Sequence, residues 1–146
     1  MAIPPDWTQA TRNAVILIAE DDDGHASLIE RNLKRCGITT PCLRFRDGQE
    51  VLDFLLKVGK STSYVPLDNY ILFLDGRMPK VSGQEVLKQI QHHHALKTIP
   101  LTIVTTTDDA QELDSFQALG CTYHLNKPVE VNALQEVLSL LHSDSR

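Results

Sequence analysis

The segment spanning residues 70–83, Y-I-L-F-L-D-G-R-M-P-K-V-S-G, constrains the fold more than any other part of this sequence. Its four consecutive apolar residues, 71–74, lie between turn-forming residues, which is the pattern of a strand buried on both faces of a sheet. Asp75 follows directly, so its carboxylate is expected at the carboxyl edge of a parallel sheet, where open α/β folds bind their ligands. The pattern alone is equally compatible with an aspartate that merely caps a turn, so residues elsewhere have to decide.

Strand-like and helix-like segments alternate along the rest of the sequence. Short apolar runs predict strands at residues 14–19, 38–45, 71–74, 100–106 and 121–125. Apolar residues at helical spacing predict helices at residues 25–36, 47–58, 83–93, 108–119 and 130–142. Five successive strand–helix pairs favour one domain, residues 14–142, built on a parallel sheet with helices on both faces. Residues 1–13 and 143–146 are predicted to be polar tails, and residues 59–69 the most mobile internal loop.

Composition and charge exclude several classes of function. The 146 residues carry a net charge of −5 and show no cluster of Lys and Arg, which argues against a nucleic-acid-binding surface. No apolar run approaches the length needed to cross a membrane, and Pro4, Pro5 and Asp6 stand where a signal peptide needs an apolar core. A cytoplasmic protein is therefore expected. The turn after the first strand is acidic and not glycine-rich, which excludes a nucleotide-binding module.

Polar side chains that suit phosphate and metal chemistry follow four of the predicted strands. They are Glu20, Asp21, Asp75, Thr105, Thr106 and Lys127. In a parallel sheet these residues meet at one edge, where each pair of carboxylates would repel by about 4 kcal/mol at an effective dielectric constant of about 20. The cluster therefore needs a cation, and its all-oxygen ligands suit Mg²⁺ better than zinc. A structural ion-pair network is the alternative explanation, but the shared edge favours a functional site.

The reaction that suits these groups is nucleophilic attack by a carboxylate on a phosphoryl group. Asp75 would form an acyl phosphate in that reaction. Mg²⁺ would neutralise charge on the transferred oxygens, and Lys127 and the hydroxyl of Thr105 would bind those oxygens after transfer.

Taken together, these motifs resemble the receiver domain of two-component response regulators, and the resemblance covers residues 14–142. The matching residues are the acidic pair Glu20-Asp21, the D-x-x-M-P-x-x-x-G motif that begins at Asp75, then Thr105 and Lys127-Pro128. The resemblance implies a flavodoxin-like α/β fold, a doubly wound sheet of five parallel strands in the order 2-1-3-4-5. The long loop before the third strand and the run L-T-I-V-T-T-T are similar, more narrowly, to single-domain regulators that partner bacterial phytochromes.

The same resemblance implies roles for individual residues. Asp75 is the expected phosphoacceptor. Mg²⁺ is expected on Glu20, Asp21, the Asp75 side chain and the backbone carbonyl of Arg77. A cis peptide bond is expected before Pro128, since this option is open mainly to proline.

Three positions depart from the family pattern, and one is Thr106, which is bulkier than the Ala or Gly common there and would narrow access to the site. Receivers generally place Tyr or Phe three residues before the lysine, as a ring that swings inward on phosphorylation, and here that residue is His124. It is expected to be either a planar rotor that switches with Thr105 or a surface histidine on an edge strand. Arg77, two residues past the expected phosphoacceptor, would overhang the site and modulate hydrolysis of the acyl phosphate.

The implied function is that of a single-domain response regulator, a signalling protein and not an enzyme. It would receive its phosphoryl group from a sensor histidine kinase or a phosphotransfer protein. A separate downstream protein, or a second copy in a homodimer, would bind differently after the conformational change that phosphorylation causes. An apolar row on the last helix, Ala133, Val137 and Leu140, offers either such an interaction surface or a wider core contact. The competing functions are a receiver-like adaptor that works without phosphate and a metal-dependent phosphatase, which would need an acid at the position of Arg77.

Overall fold

A computed structural model describes residues 14–60, 70–106, 110–121 and 123–144 of the chain. Within these ranges, five strands and five α-helices alternate, with a short 3₁₀ helix (His94–Thr98) before the fourth strand. In chain order they are β1 (Val15–Ala19), α1 (Asp23–Arg35), β2 (Cys42–Phe45), α2 (Gly48–Lys60), β3 (Tyr70–Asp75), α3 (Gly83–His92), β4 (Leu101–Thr105), α4 (Ala110–Ala118), β5 (Tyr123–Asn126) and α5 (Val131–Asp144). Most of the predicted loop, residues 61–69, lies outside the described residues, whereas residues 59 and 60 belong to α2.

The strands form one parallel sheet in the order β2-β1-β3-β4-β5, which confirms the predicted topology. β3 lies at the centre and all of its residues are buried, as the uninterrupted apolar run predicts. Ala19 of β1 pairs with Leu74 of β3, and Asp75 pairs with Val104 of β4. Because parallel strands in register end at the same edge, the residues that follow β1, β3, β4 and β5 come together.

Apolar side chains alternate between the two faces of the sheet and form two core layers. Along β3, Ile71 and Phe73 face one layer, and Leu72 and Leu74 face the other. The first layer is completed by buried residues of α1 and α5, among them Ile29, Leu33, Leu134 and Leu138. The second is completed by buried residues of α2, α3 and α4, among them Leu55, Val86, Leu87 and Phe116. Each large side chain buried in this way stabilises the fold by about 1.5 to 3 kcal/mol, so the strand ends are firmly held.

Two strands begin two or more residues later than predicted, because the helix before each one ends in a turn that uses the intervening residues. The predicted start of the second strand at residue 38 is wrong, since β2 begins at Cys42. Ile38 N donates to the carbonyl of Leu33 at 3.0 Å behind Gly37, which has a φ of 90°, so residue 38 belongs to the C-cap of α1. For the same reason β5 begins two residues later than predicted, behind the α4 cap at Gly120 (φ 97°).

The last helix, α5, runs from Val131 to Asp144 and so extends two residues into the predicted polar tail. Val137 is buried, whereas Ala133 and Leu140 are exposed, so the predicted apolar row divides between core and surface. In the described part of the chain, no helix combines the length and the apolar character that crossing a membrane requires.

Asp47 caps α2. Its Oδ1 accepts a hydrogen bond from Glu50 N at 2.9 Å. The carboxylate of Glu50 accepts a hydrogen bond from Arg46 N at 2.7 Å and not from the N–H of Asp47, so the two residues do not form a reciprocal capping box. Gly48, the first residue of α2, lies against the loop after β3, where a Cβ would overlap the carbonyl oxygen of Val81. This contact fixes the β3–α3 loop against the start of α2.

Gly48→Ala should destabilise the protein by about 1 to 3 kcal/mol, because the added methyl group overpacks against backbone atoms that cannot rotate away. The measurement is the free energy of unfolding from urea titration. Gly24→Ala is the matched control, because the nearest atom to a Cβ there is Asp22 Oδ2 at 3.7 Å and the residue is exposed in the first turn of α1. The control should be neutral or stabilising by up to about 1 kcal/mol. Equal effects of the two substitutions would contradict the packing of Gly48 on Val81.

Candidate functional site

The carboxyl edge of the sheet gathers the acids, the threonine and the lysine that the sequence predicts to meet. Glu20 follows β1 and Asp75 ends β3, and the two are 1% and 3% exposed. Asp21 is exposed beside them. Lys127 follows β5, and its backbone N–H donates to the carbonyl of Thr105 at 3.0 Å, which fixes it next to the end of β4. Four strands therefore contribute to one cluster.

Asp75 is held by one backbone donor and one charged donor. Its Oδ1 accepts a hydrogen bond from Arg77 N at 3.0 Å, and its Oδ2 accepts one from Lys127 Nζ at 3.1 Å. The backbone around Asp75 is also fixed, because Gly76 N donates to the carbonyl of Val104 on β4 at 3.0 Å and Gly83 packs closely on the carbonyl of Asp75. Any side chain at residue 83 would overlap that carbonyl. The glycine that ends the D-x-x-M-P-x-x-x-G motif is therefore required by the close approach of two backbone segments.

Glu20 is hydrogen-bonded through both of its oxygens. Oε1 lies 2.8 Å from Lys127 Nζ and 2.7 Å from His25 Nδ1, and Oε2 accepts from Asp22 N at 3.1 Å. Lys127 thus bridges the two buried carboxylates of the site. Removal of Lys127 would leave both carboxylates without this cation, and a buried charge without a partner strongly destabilises a fold.

Two residues that support the acidic cluster are not predicted from the sequence. One is His25, whose ring contacts Glu20. The other is Arg44 on edge strand β2, which donates to the backbone carbonyl of Glu20 through Nε at 2.9 Å and Nη2 at 2.8 Å and to Asp23 through Nη1 at 2.7 Å. A histidine in the helix turn directly after an acidic run is a signal that could indicate the first contact. No signal in the sequence indicates the second, because it depends on the register of β2 beside β1.

Burial and the shared lysine set the charges of the site. Burial raises the pKa of Asp75 to about 7; the Arg77 N–H opposes this and the Glu20 carboxylate adds to it. Burial also raises the pKa of Glu20, but hydrogen bonds from His25, Lys127 and a backbone N–H outweigh it and hold that pKa well below its usual range. Burial lowers the pKa of Lys127, but the two carboxylates outweigh burial and raise it overall. Asp75 is therefore the carboxylate whose negative charge is least stabilised.

The carboxylates of Glu20, Asp21 and Asp75 form a candidate metal site. Each offers one oxygen, and the three oxygens lie within 4.8 Å of one another. An all-oxygen donor set with an exposed member leaves room for water and suits Mg²⁺ better than zinc. A cation bound there would stabilise the negative charge on Asp75, which the lysine alone leaves with a raised pKa.

The remaining predicted residues lie around this cluster. Thr105 is buried at the end of β4, and Arg77 is exposed with its backbone N–H on Asp75. The peptide bond between Lys127 and Pro128 is cis, as the family resemblance implies. His124 is exposed on edge strand β5. An exposed ring fits a surface histidine and equally the outward position of a rotor, so both interpretations of His124 stay open.

The sequence matches known proteins over most of its length. Residues 16–139 match the family described as response regulator receiver domain. The chain is 35% identical over 134 residues to the probable methanogenesis regulatory protein FilR2 of Methanothrix harundinacea, which covers 91% of this chain and 84% of that protein. It is 30% identical over 129 residues to the response regulator Rcp1 of Synechocystis, which covers 88% of this chain and 86% of that protein.

Solved structures with the same fold include two response regulators. The bacteriophytochrome response regulator AtBRR has a TM-score of 0.73 at 29% identity, over 88% of this chain and 91% of that chain. The Mn²⁺-bound form of Rcp1 has a TM-score of 0.67 at 26% identity, over 90% of this chain and 93% of that chain. The predicted fold is confirmed, and so is the narrower likeness to regulators of bacterial phytochromes. Because the family match spans most of the sequence, this chain belongs to the receiver domain family of two-component response regulators.

Proposed function

We propose that this protein accepts a phosphoryl group on Asp75 from the phosphohistidine of a sensor histidine kinase or phosphotransfer protein. It then signals to a separate partner by a change of conformation. The observation that carries this proposal is the pairing of Asp75 Oδ2 with Lys127 Nζ at 3.1 Å, next to three carboxylate oxygens within 4.8 Å of one another. A nucleophile, a cation site and a donor for the transferred oxygens then share one edge of the sheet.

In the transfer step, one carboxylate oxygen of Asp75 attacks the phosphorus of the donor. A P–O bond forms, the P–N bond of the phosphohistidine breaks, and its electron pair leaves with the imidazole. The ammonium of Lys127, which contacts Glu20 and Asp75 before transfer, has three N–H groups and can bind a phosphoryl oxygen after transfer. The hydroxyl of Thr105 binds a second oxygen. The acyl phosphate stays on the chain until water hydrolyses it, so the protein is a signalling switch and not a turnover enzyme.

The residues that would hold Mg²⁺ are Glu20, Asp21, Asp75 and, through its backbone carbonyl, Arg77. When bound, Mg²⁺ neutralises charge that develops on the transferred oxygens. The chemistry of the donors supports this assignment, because all are oxygens and the raised pKa of Asp75 is what a nearby cation would lower. The similarity to Rcp1, which has been solved in a Mn²⁺-bound form, supports a divalent cation independently.

The signal would pass from Asp75 to α4. Gly76, the next residue, has no side chain, and the ring of Phe116 on α4 takes that space: a Cβ on Gly76 would lie 2.9 Å from Phe116 Cζ and 3.7 Å from Thr105 Cβ. Phosphorylation adds about −1.5 to −2 charge to Asp75, and a shift of Thr105 towards it would act on this tightly packed ring. A coupling of about 1 to 3 kcal/mol would change the affinity for a partner by about 5- to 150-fold.

Incubation with a small-molecule phosphodonor and Mg²⁺ should add one phosphoryl group to the wild type and none to Asp75→Asn, because the amide is not a nucleophile. Intact mass measured before and after hydroxylamine treatment checks this, since hydroxylamine cleaves an acyl phosphate and leaves phosphate esters intact. Asp114→Asn, which changes an exposed aspartate on α4, is the matched control and should be phosphorylated like the wild type.

Each other result has a definite meaning. A phosphoryl group on Asp75→Asn would put the acceptor at another residue. Absence of the modification from both the wild type and the control would favour an adaptor that works without phosphate. Transfer at an unchanged rate with EDTA in place of Mg²⁺ would contradict the metal assignment.

Asp75→Asn should also stabilise the metal-free protein, and more strongly as the pH rises. Because burial raises the pKa of Asp75 to about 7, the folded protein binds more protons at this residue than the unfolded chain between about pH 4 and pH 7. The ionised Asp75 therefore destabilises the folded protein increasingly as the pH rises through that window, and the full destabilisation is reached above it. We expect the free energy of unfolding of the variant to exceed that of the wild type by about 1 to 3 kcal/mol at about pH 8 and by much less at about pH 5. The measurement is urea unfolding in EDTA.

Asp114→Asn, which changes an exposed residue of α4, serves as the control for this comparison. Adding Mg²⁺ should reduce the difference in free energy of unfolding between the wild type and Asp75→Asn, because the ion binds the native wild type through Asp75. If the difference in free energy of unfolding between the wild type and Asp75→Asn stays constant from low to high pH, folding does not perturb the ionisation of Asp75.

A further inference from the structure

His25 contacts the acidic cluster but has no part in the phosphotransfer reaction proposed above. It lies in the first turn of α1, where its backbone N–H donates to the side chain of the capping residue Asp22 at 2.9 Å. From there its ring turns back to the end of β1, and its Nδ1 lies 2.7 Å from Glu20 Oε1. The side chains of His25 and Glu20 are 9% and 1% exposed, so water competes little for this hydrogen bond.

The direction of this hydrogen bond follows from the two groups. An ionised carboxylate only accepts, so Nδ1 of His25 carries the proton and donates it. The other ring nitrogen, Nε2, is buried and has no hydrogen-bond partner among the residues that the structure describes. The polar interaction of the ring within this part of the chain is therefore with Glu20, and the ring presents a fixed donor to that carboxylate.

Among the residues that the structure describes, the oxygens of Glu20 accept from Lys127 Nζ, from Asp22 N and from His25 Nδ1, and these donors differ in their other contacts. Lys127 Nζ also contacts Asp75 at 3.1 Å, so a phosphoryl group on Asp75 would draw it away from Glu20. The N–H of Asp22 and the ring of His25 belong to the turn and helix after β1 and do not depend on the state of Asp75. These two donors can keep Glu20 in place when the lysine is engaged elsewhere.

We infer that His25 is a positioning residue, which holds the carboxylate of Glu20 for the divalent cation while Lys127 engages the phosphoryl group. This inference rests on the proposed function and adds a residue to its metal site. Outer partners that hydrogen-bond to metal-site carboxylates are typically worth about 10- to 100-fold in metal affinity. The same range is expected for the hydrogen bond of His25.

Substitutions at His25 separate this role from simple packing. His25→Phe keeps a ring in the same space but has no donor. His25→Asn carries an amide N–H at the same bond distance from Cβ as Nδ1, so it should restore the hydrogen bond. His94→Phe, which changes an exposed histidine beyond α3, is the matched control.

The measurement is the Kd for Mg²⁺ by calorimetry on the full chain, without a phosphodonor. His25→Phe should raise this Kd by about 10- to 100-fold, whereas His25→Asn and His94→Phe should stay close to the wild type. Urea unfolding in EDTA and in Mg²⁺ gives a second readout, because the difference between the two conditions cancels any loss of packing. That difference should be smaller for His25→Phe than for the wild type and His25→Asn.

A wild-type Kd for His25→Phe would overturn the inference and leave the proposed function intact. A Kd for His25→Asn raised as far as that for His25→Phe would overturn it as well, since the ring and not its donor would then matter. If His25→Phe does not fold, His25→Ala takes its place in the same comparison. Failure of the wild type to bind Mg²⁺ would overturn the metal site of the proposed function, and the inference with it.

Discussion

The contact of the half-buried Lys127 ammonium with Glu20 and Asp75 is the interaction on which the rest of the site depends. The ammonium lies 2.8 Å from one carboxylate and 3.1 Å from the other, and both carboxylates are almost without water. One positive charge cannot neutralise two negative charges, so a net negative charge remains. The carboxylate whose charge is not compensated is that of Asp75, because its pKa is raised while that of Glu20 is lowered. The fold thus leaves an unsatisfied need for a cation at the side chain that we propose as the nucleophile.

The parallel sheet makes this arrangement possible, because it brings the ends of four strands to one edge and then fixes the backbone at each end. Asp75 is held from the front by the N–H of Arg77 and from behind by the close approach of Gly83. Glu20 is held by the N–H of Asp22, and its carbonyl is held by the guanidinium of Arg44. Most of these contacts use backbone groups, which have no rotamers to lose. The carboxylates are therefore fixed before any ligand arrives.

The same edge also connects the site to a surface helix. β3 is central and buried along its whole length, so it cannot absorb a change at Asp75. The loop after it can, and there the bare backbone of Gly76 lies against the ring of Phe116 from α4. Interiors packed this closely respond to a new charge by moving as units and not by local compression. The packing of Gly76 on Phe116 thus gives the proposed signal a physical path from the acceptor to the surface.

The sequence by itself determined the order of strands and helices and the principal residues of the site. Apolar runs and helical spacing are local properties, and the family motifs follow the strands directly, so both could be predicted from the sequence. The cap of the preceding helix, which uses residue 38 and so delays the start of β2, is local as well, whereas other features were decided only by the tertiary structure. That structure alone brought His25 and Arg44 to Glu20, since such contacts depend on strand register and side-chain reach. It decided, finally, which of two similar buried carboxylates keeps its charge at low cost, because that depends on how many donors each one finds.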